Sequence, residues 1–354
     1  MSKETKEMYL VVGGSGLLGR HIVEQLRDRG DSVSVLDLVQ RHDDVPFYSG
    51  DISEEDVALS ALKTSGATCV IHTASPHATT APPALFWKVN VEGTNAVIAA
   101  CLASGVKKLI YTSSSGVVFT GSDLNGIDES FPYPTKPMDV YMETKIRAEK
   151  AVIAANGKNE LLTAIIRPSG IFGSPGDRQL MVGLYNIYDR GRTGVQIGNN
   201  KNLTDWTYVT NVADAHVLAA DKLSTPADPP VAGEIFYITN DEPWPFWDFT
   251  NGIWDRLDAI YPGRRVKKKP FIIPRALGIV MGAVSELIAW VLGKKPTFTR
   301  FSVIFSCTAR WHNIQKAKRA LGYRPRVRLA DGMDRLVDWW KEQEEGKTKS
   351  NLAT

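Results

Sequence analysis

The feature that most constrains this chain is a glycine-rich turn set between a short apolar run and a helix. YLVV at 9–12 is followed at once by VGGSGLLGRH, which places Gly13, Gly16 and Gly19 at three-residue intervals. Side chains would obstruct so tight a passage. Glycines let strand, helix and a bound pyrophosphate approach one another, and the helix N-terminus favours the negative charge. SVSVLD, CVIHTA, KKLIYTS and LTAIIRP are further short apolar runs bounded by turn residues, as buried parallel strands are. Segments 21–29, 87–104 and 140–155 between them carry helical patterning. This alternation predicts an α/β fold, a Rossmann-type doubly wound parallel sheet with a smaller C-terminal substrate-binding lobe. The expected core spans 1–173, with 205–240 returning to it; 174–204 and 241–354 form the lobe.

Composition narrows the function classes. A formal charge of +3 over 354 residues, with no basic stripe interleaved with aromatics, argues against a nucleic-acid partner. Cys69, Cys101 and Cys307 lie far apart and lack metal-ligand spacing, so neither a metal site nor a disulfide framework is expected, and a reducing compartment is. The opening MSKETKEMYL has no signal-peptide apolar stretch, which leaves any membrane attachment to later segments. Only the two ends are expected to lack order.

Asp37 ends the second strand about twenty residues after the glycines, where a carboxylate accepts hydrogen bonds from ribose hydroxyls and repels a 2′-phosphate. NAD is therefore the expected cofactor, and Arg41 nearby leaves NADP open. Asp51 and Ile52, after the third strand, are placed to cap the adenine.

YMETK at 141–145 puts Tyr141 and Lys145 four residues apart, on one face of a helix. A free tyrosine titrates near ~10, and a nearby ammonium lowers that value, so the pair suits removal of an alcohol proton as hydride leaves. YTSSSG at 111–116 ends a strand in serines able to reach the same oxygen. The glycine loop, Asp37, DIS at 51–53, HTAS at 72–75, NVEGT at 90–94, YTSSSG, YMETK and RPSGIFG at 167–173 occur in this order over nearly the whole chain. So arranged, the sequence resembles the extended short-chain dehydrogenases, and within them the 3β-hydroxysteroid dehydrogenase branch.

That resemblance implies Ser114, Tyr141 and Lys145 as catalytic residues, with Ser113 and Ser115 open by register. It implies a cofactor site of Gly13, Gly16, Leu17, Leu18, Gly19, Asp37, Asp51, Ile52, Thr73, Ala74, Tyr141, Lys145 and Pro168. IGNNKNLTDWTYVTNVADAH at 197–216, ITNDEPWPFW at 238–247 and KPTFT at 295–299 are similar to branch members that oxidise 4α-carboxysterols and release the carboxyl as carbon dioxide. Ser169 stands where a bulkier residue is expected. The implied partners are a sterol, a membrane surface, a second copy of the chain and other enzymes of sterol C4 demethylation. The alternatives are another 3β-hydroxysteroid dehydrogenase, a phenolic or aldehyde reductase, a sugar-nucleotide epimerase and a non-catalytic nucleotide sensor.

Residues 271–293 form the most apolar stretch, flanked by GRRVKKK and by Lys294 and Lys295. Only ten residues separate Arg275 from Glu286, fewer than the ~20 a straight span needs. As a helix it places Arg275, Gly278, Gly282, Ser285, Glu286, Ala289 and Gly293 together and sets Leu277, Val280, Met281, Val284, Leu287, Ile288, Val291 and Leu292 elsewhere. An interfacial helix, a re-entrant segment and a buried helix of the lobe are all compatible with this pattern. If it is interfacial, the resemblance places it on the cytosolic face of the endoplasmic reticulum or on a lipid droplet.

Overall fold

The computed structural model describes residues 7–78, 81–224, 230–294, 296 and 298–352. Its centre is a seven-stranded sheet: β1 (Met8–Val12), β2 (Ser32–Asp37), β3 (Phe47–Ser49), β4 (Cys69–His72), β5 (Lys108–Thr112), β6 (Leu162–Pro168) and β7 (Ile235–Ile238). They lie in the order β7-β6-β5-β4-β1-β2-β3, and every neighbouring pair is parallel. The sheet needs a helical layer on both faces, because strands such as β4 and β5 are buried at every residue. On one face α1 (Leu17–Asp28) packs beside the later helix Val209–Lys222. On the other lie α2 (Glu55–Ser65), α3 (Thr94–Ser104) and α4 (Val140–Ala155).

The helix expected over 21–29 begins earlier, at Leu17, because Gly16 itself serves as its N-cap. The stretch expected as one helix over 87–104 is a π-helical turn, Trp87–Gly93, running into α3. That wide turn buries Asn90 against α4, where its Nδ2 donates to Thr144 Oγ1 at 3.1 Å.

The division between core and lobe is more interleaved than the expected boundaries. Trp206–Tyr208 and the helix Val209–Lys222, now α5, lead back to β7 at the sheet edge. Residues assigned to the lobe also return: Ile314, Ala317, Ala320, Leu321 and Tyr323 join the core beneath α1 and α5. Conversely, Leu124–Ile127 leaves the core to pair with Arg310–His312 in a four-stranded sheet. Both exchanges bury apolar faces that the local sequence leaves unpaired. The lobe's own core is aromatic, with Trp206 stacked on Phe249 at 3.9 Å and Tyr188, Trp254 and Trp340 around them.

The end expected to lack order is helical through Leu352; residues 1–6 and 353–354 lie outside the described residues, as do Lys295 and Thr297 of KPTFT. Arg275–Val291 is a single helix, α6. Its small residues meet the protein: a Cβ on Gly282 would lie 2.7 Å from the Arg300 amide nitrogen, and one on Gly278 would lie 3.0 Å from Val303. Glu286 completes the seam by accepting the Arg300 amide and Nε, each at 2.7 Å. The opposite face stays in solvent, with Val280 and Leu287 both 59% exposed and Trp290 79% exposed. Among the described residues no helix is long and apolar enough to cross a membrane.

Candidate active site

At the carboxyl end of β1 the chain turns through Gly13, whose φ of +85° suits glycine and whose amide donates to Leu36 O at 2.8 Å. A Cβ on Gly13 would lie 2.6 Å from the Ala74 amide nitrogen and 2.8 Å from Thr73 Oγ1, and one on Gly19 would lie 2.2 Å from Gly13 O. The glycines thus bring the ends of β1 and β4 and the start of α1 into backbone contact. Gly16 offers no side-chain cap and the first turn of α1 has no acidic residue, so its free amides are left for an anion. Leu17 and Leu18 are the first two residues of that turn.

Asp37 closes the loop from the other side. One carboxylate oxygen accepts the Ser15 amide at 2.9 Å and the other the Leu38 amide at 2.7 Å, which ties β2 to the glycine turn. Both oxygens keep lone pairs for ribose hydroxyls. Arg41 is exposed on the following loop, while Asp51 accepts Lys88 Nζ at 2.8 Å and Ile52 is buried beside Gly93. Thr73 donates its hydroxyl to Val12 O, and Pro168 ends β6 opposite Ile238. These positions line the carboxyl edge of the sheet, the edge at which ligands of such folds bind. The cradle fits a dinucleotide.

Asp139 caps α4, accepting the Met142 amide at 2.7 Å, and so fixes Tyr141 in the first turn. Phe86 meets the Tyr141 ring edge-on at 5.5 Å. Of the three serines, Ser114 is the one whose hydroxyl acts on the Tyr141 phenol, and its oxygen accepts the Gly116 amide at 3.1 Å. Ser113 Oγ is buried without a partner, and Ser115 begins the next turn. Ser114 is thus the serine beside Tyr141. Burial pushes the Tyr141 phenol up to about 12, with Ser114 acting against that rise.

Lys145 lies one turn farther along α4 and is 2% exposed. Its Nζ donates to Thr112 O at 2.9 Å and Tyr111 Oη at 3.3 Å. Burial lowers the amine to about 7, opposed by the charge of Glu149. Sequence spacing predicts a direct influence of the ammonium on the phenol; in the structure the Lys145 amine is held by Tyr111 and Thr112 of β5.

A polar layer under this pair went unread. Glu149, at the next i+4 position, takes two hydrogen bonds from Arg167, 2.8 and 2.7 Å long. Tyr133 donates to the same carboxylate at 2.5 Å. His72 meets Thr94 Oγ1 at 3.1 Å and His216 meets Thr112 Oγ1 at 2.7 Å. The 141, 145, 149 spacing is a signal for Glu149; Arg167 stands in the RPSGIFG segment, but nothing there announces this pairing.

The arrangement provides a phenol, a hydroxyl and a buried amine beside a dinucleotide cradle. Among the described residues there is no cluster suited to a metal ion. The profile of the 3-beta hydroxysteroid dehydrogenase/isomerase family matches residues 10–267. The chain is 42% identical over 349 residues, 94% of its length and 97% of the relative's, to a Saccharomyces cerevisiae protein called sterol-4-alpha-carboxylate 3-dehydrogenase, decarboxylating. The Homo sapiens protein of that name is 42% identical over 330 residues, covering 92% of this chain and 86% of its own. A likeness of fold extends to the UDP-glucose 4-epimerase of Thermotoga maritima, with a TM-score of 0.71, 20% identity, and 95% and 99% of the two chains covered. With the glycine cradle and the Ser114–Tyr141 pair in place, these matches show that the chain belongs to the 3-beta hydroxysteroid dehydrogenase/isomerase family.

Proposed function

We propose that the protein oxidises the 3β-hydroxyl of a 4α-carboxysterol to a ketone, with NAD as acceptor, and that the C4 carboxyl then leaves as carbon dioxide in sterol biosynthesis. The observation that carries this reading is the Ser114–Tyr141 hydroxyl pair beside the glycine cradle, in a chain 42% identical to relatives named for that reaction. Bound NAD supplies the hydride acceptor and a cationic ring. Tyr141 receives the alcohol proton as the C3–H pair leaves, and Ser114 holds the same oxygen. A phenol near 12 is protonated at neutral pH, so nearby positive charge must lower it, and an amine near 7 is available to carry part of that charge. The new ketone lies β to the carboxylate. When the C4–carboxyl bond breaks, its electron pair moves to the C3 oxygen as an enolate, and Tyr141 returns the proton. Purified protein with NAD and a 4α-carboxysterol should form NADH and carbon dioxide in equal amounts; absence of both overturns the reading.

The exposed face of α6 supports a one-sided attachment to lipid, at the cytosolic face of the endoplasmic reticulum membrane or on a lipid droplet. Each large aliphatic side chain withdrawn from water contributes roughly 1.5–3 kcal/mol, and Leu277, Val280, Val284, Leu287, Ile288 and Val291 are all available. The basic flank contributes less than its sequence suggests. Arg264 pairs with Asp189, and Arg265 and Lys267 pair with Asp255 and Asp258, which leaves Lys268 and Lys269 for headgroups.

A further inference from the structure

The four-stranded sheet of the lobe holds a cation, Arg310, that has no counterion among the described residues. Arg310 pairs in register with Leu124 on one side and Thr204 on the other, and paired residues of neighbouring strands present their side chains to the same face. Leu124 on that face packs with Val117, Val118, Phe119 and Met142, the group against which Tyr141 rests. Arg310 therefore stands in the wall that the lobe turns toward the catalytic helix. Its guanidinium lies 3.2 Å from the centre of the Phe305 ring and 5.5 Å from that of Phe119.

Two of its nitrogens, Nε and Nη2, are buried and make no hydrogen bond, and neither does the neighbouring Thr204 Oγ1. Arg167, in the core, shows what a buried guanidinium ordinarily requires: a carboxylate received by both arms of its fork. With no such partner, burial alone pulls the Arg310 guanidinium down to about 9. Aromatic faces offset part of the lost hydration, yet they leave the in-plane N–H donors unsatisfied. A planar fork of donors matches a carboxylate in shape as well as charge.

We propose that Arg310 binds the carboxylate of the substrate, with the Thr204 hydroxyl as a second donor, and so selects a sterol acid over a plain 3β-hydroxysterol. This rests on the reading of the substrate as a 4α-carboxysterol. The C3 hydroxyl and C4 carboxyl sit on adjacent carbons, so the group that holds the second must border the one that holds the first. Phe305, half-buried against the guanidinium, gives that border an apolar ring.

The test compares kcat/KM for a 4α-carboxysterol and for its methyl ester. In the wild-type protein the acid should be preferred, and Arg310→Met should lower the acid-to-ester ratio by about tenfold to a hundredfold, the worth of a charge-assisted hydrogen bond. Arg310→Lys should restore part of that ratio. An acid-to-ester ratio near one in the wild-type protein, or an unaltered ratio in a folded Arg310→Met protein, overturns the role of Arg310 while the dehydrogenase reading stands. No oxidation of either sterol by the wild-type protein overturns the substrate reading itself. Should Arg310→Met fail to fold, Arg310→Lys, which keeps the charge and loses the fork, carries the test: an acid-to-ester ratio unchanged from wild type overturns the role.

Discussion

Glu149 and Arg167 face each other in full burial through two hydrogen bonds of 2.8 and 2.7 Å, and Glu149 stands two turns along the helix that carries Tyr141. Breaking one partner of such a pair leaves an uncompensated charge in the interior. Glu149→Gln should destabilise the protein by about 3–5 kcal/mol in urea unfolding. It should also depress Lys145 further, since Glu149 is the charge that opposes its desolvation. A loss below about 1 kcal/mol would show that water reaches the pair.

Tyr141→Phe removes the ionisable oxygen and little volume. Turnover should fall by about 10²–10⁴-fold while NAD affinity, followed by protein fluorescence, stays within about threefold. Retention of a tenth of the wild-type kcat contradicts the assignment of Tyr141 as the proton acceptor.

Asp37 is expected to set the preference for NAD by opposing a 2′-phosphate. In Asp37→Asn the NAD-to-NADP ratio of kcat/KM should fall by about tenfold or more. Absolute NAD affinity should fall less, because an amide oxygen can still accept the Ser15 or Leu38 amide. If the wild-type protein prefers NADP, the exposed Arg41 governs this pocket instead.

Acid should weaken the fold through two buried histidines, His72 at the end of β4 and His216 against Thr112 of β5. Burial holds His72 near 3 and His216 near 4, both below the unfolded value near 6.5. The unfolded chain therefore binds the extra protons first, so stability is full above about 6.5 and is lost as pH falls toward the folded values. Between pH 6.5 and 5 each contributes a loss of about 2 kcal/mol. His216→Asn should flatten that part of the stability curve; an unchanged slope would mean that His216 titrates normally.

Leu287→Glu together with Val280→Glu should release the protein from anionic phospholipid vesicles in a flotation assay while leaving its Tm within a few degrees, since both side chains already face water. If the wild-type protein itself stays off vesicles at low salt, the face of α6 is not a lipid-binding surface.

Much of the core was legible because its signals are local. The glycine spacing, the apolar strands and the limits of α4 each follow from neighbours in sequence, and the small residues of α6 marked the face it packs with. What stayed hidden depends on contacts between distant segments. Nothing near Leu124 announces that its strand will leave the core for Arg310, and nothing near 314–323 announces a return to it. The choice among three adjacent serines needed the direction of each side chain, which only the turn after β5 fixes. Arg310 gave no sign because a lone arginine in a strand is read as solvent-facing until its surroundings are known.

The bonds from Ser15 and Leu38 to Asp37 carry a consequence for how a nucleotide arrives. A glycine turn left to itself samples many conformations, and ordering each residue costs roughly 1–2 kcal/mol. Here the turn is stitched to β2 twice, by the Asp37 carboxylate and by the Gly13 amide on Leu36 O, so that entropy is spent during folding. Capture of the nucleotide is then close to rigid docking, and its rate should be governed by diffusion and charge, without a slow rearrangement of the loop.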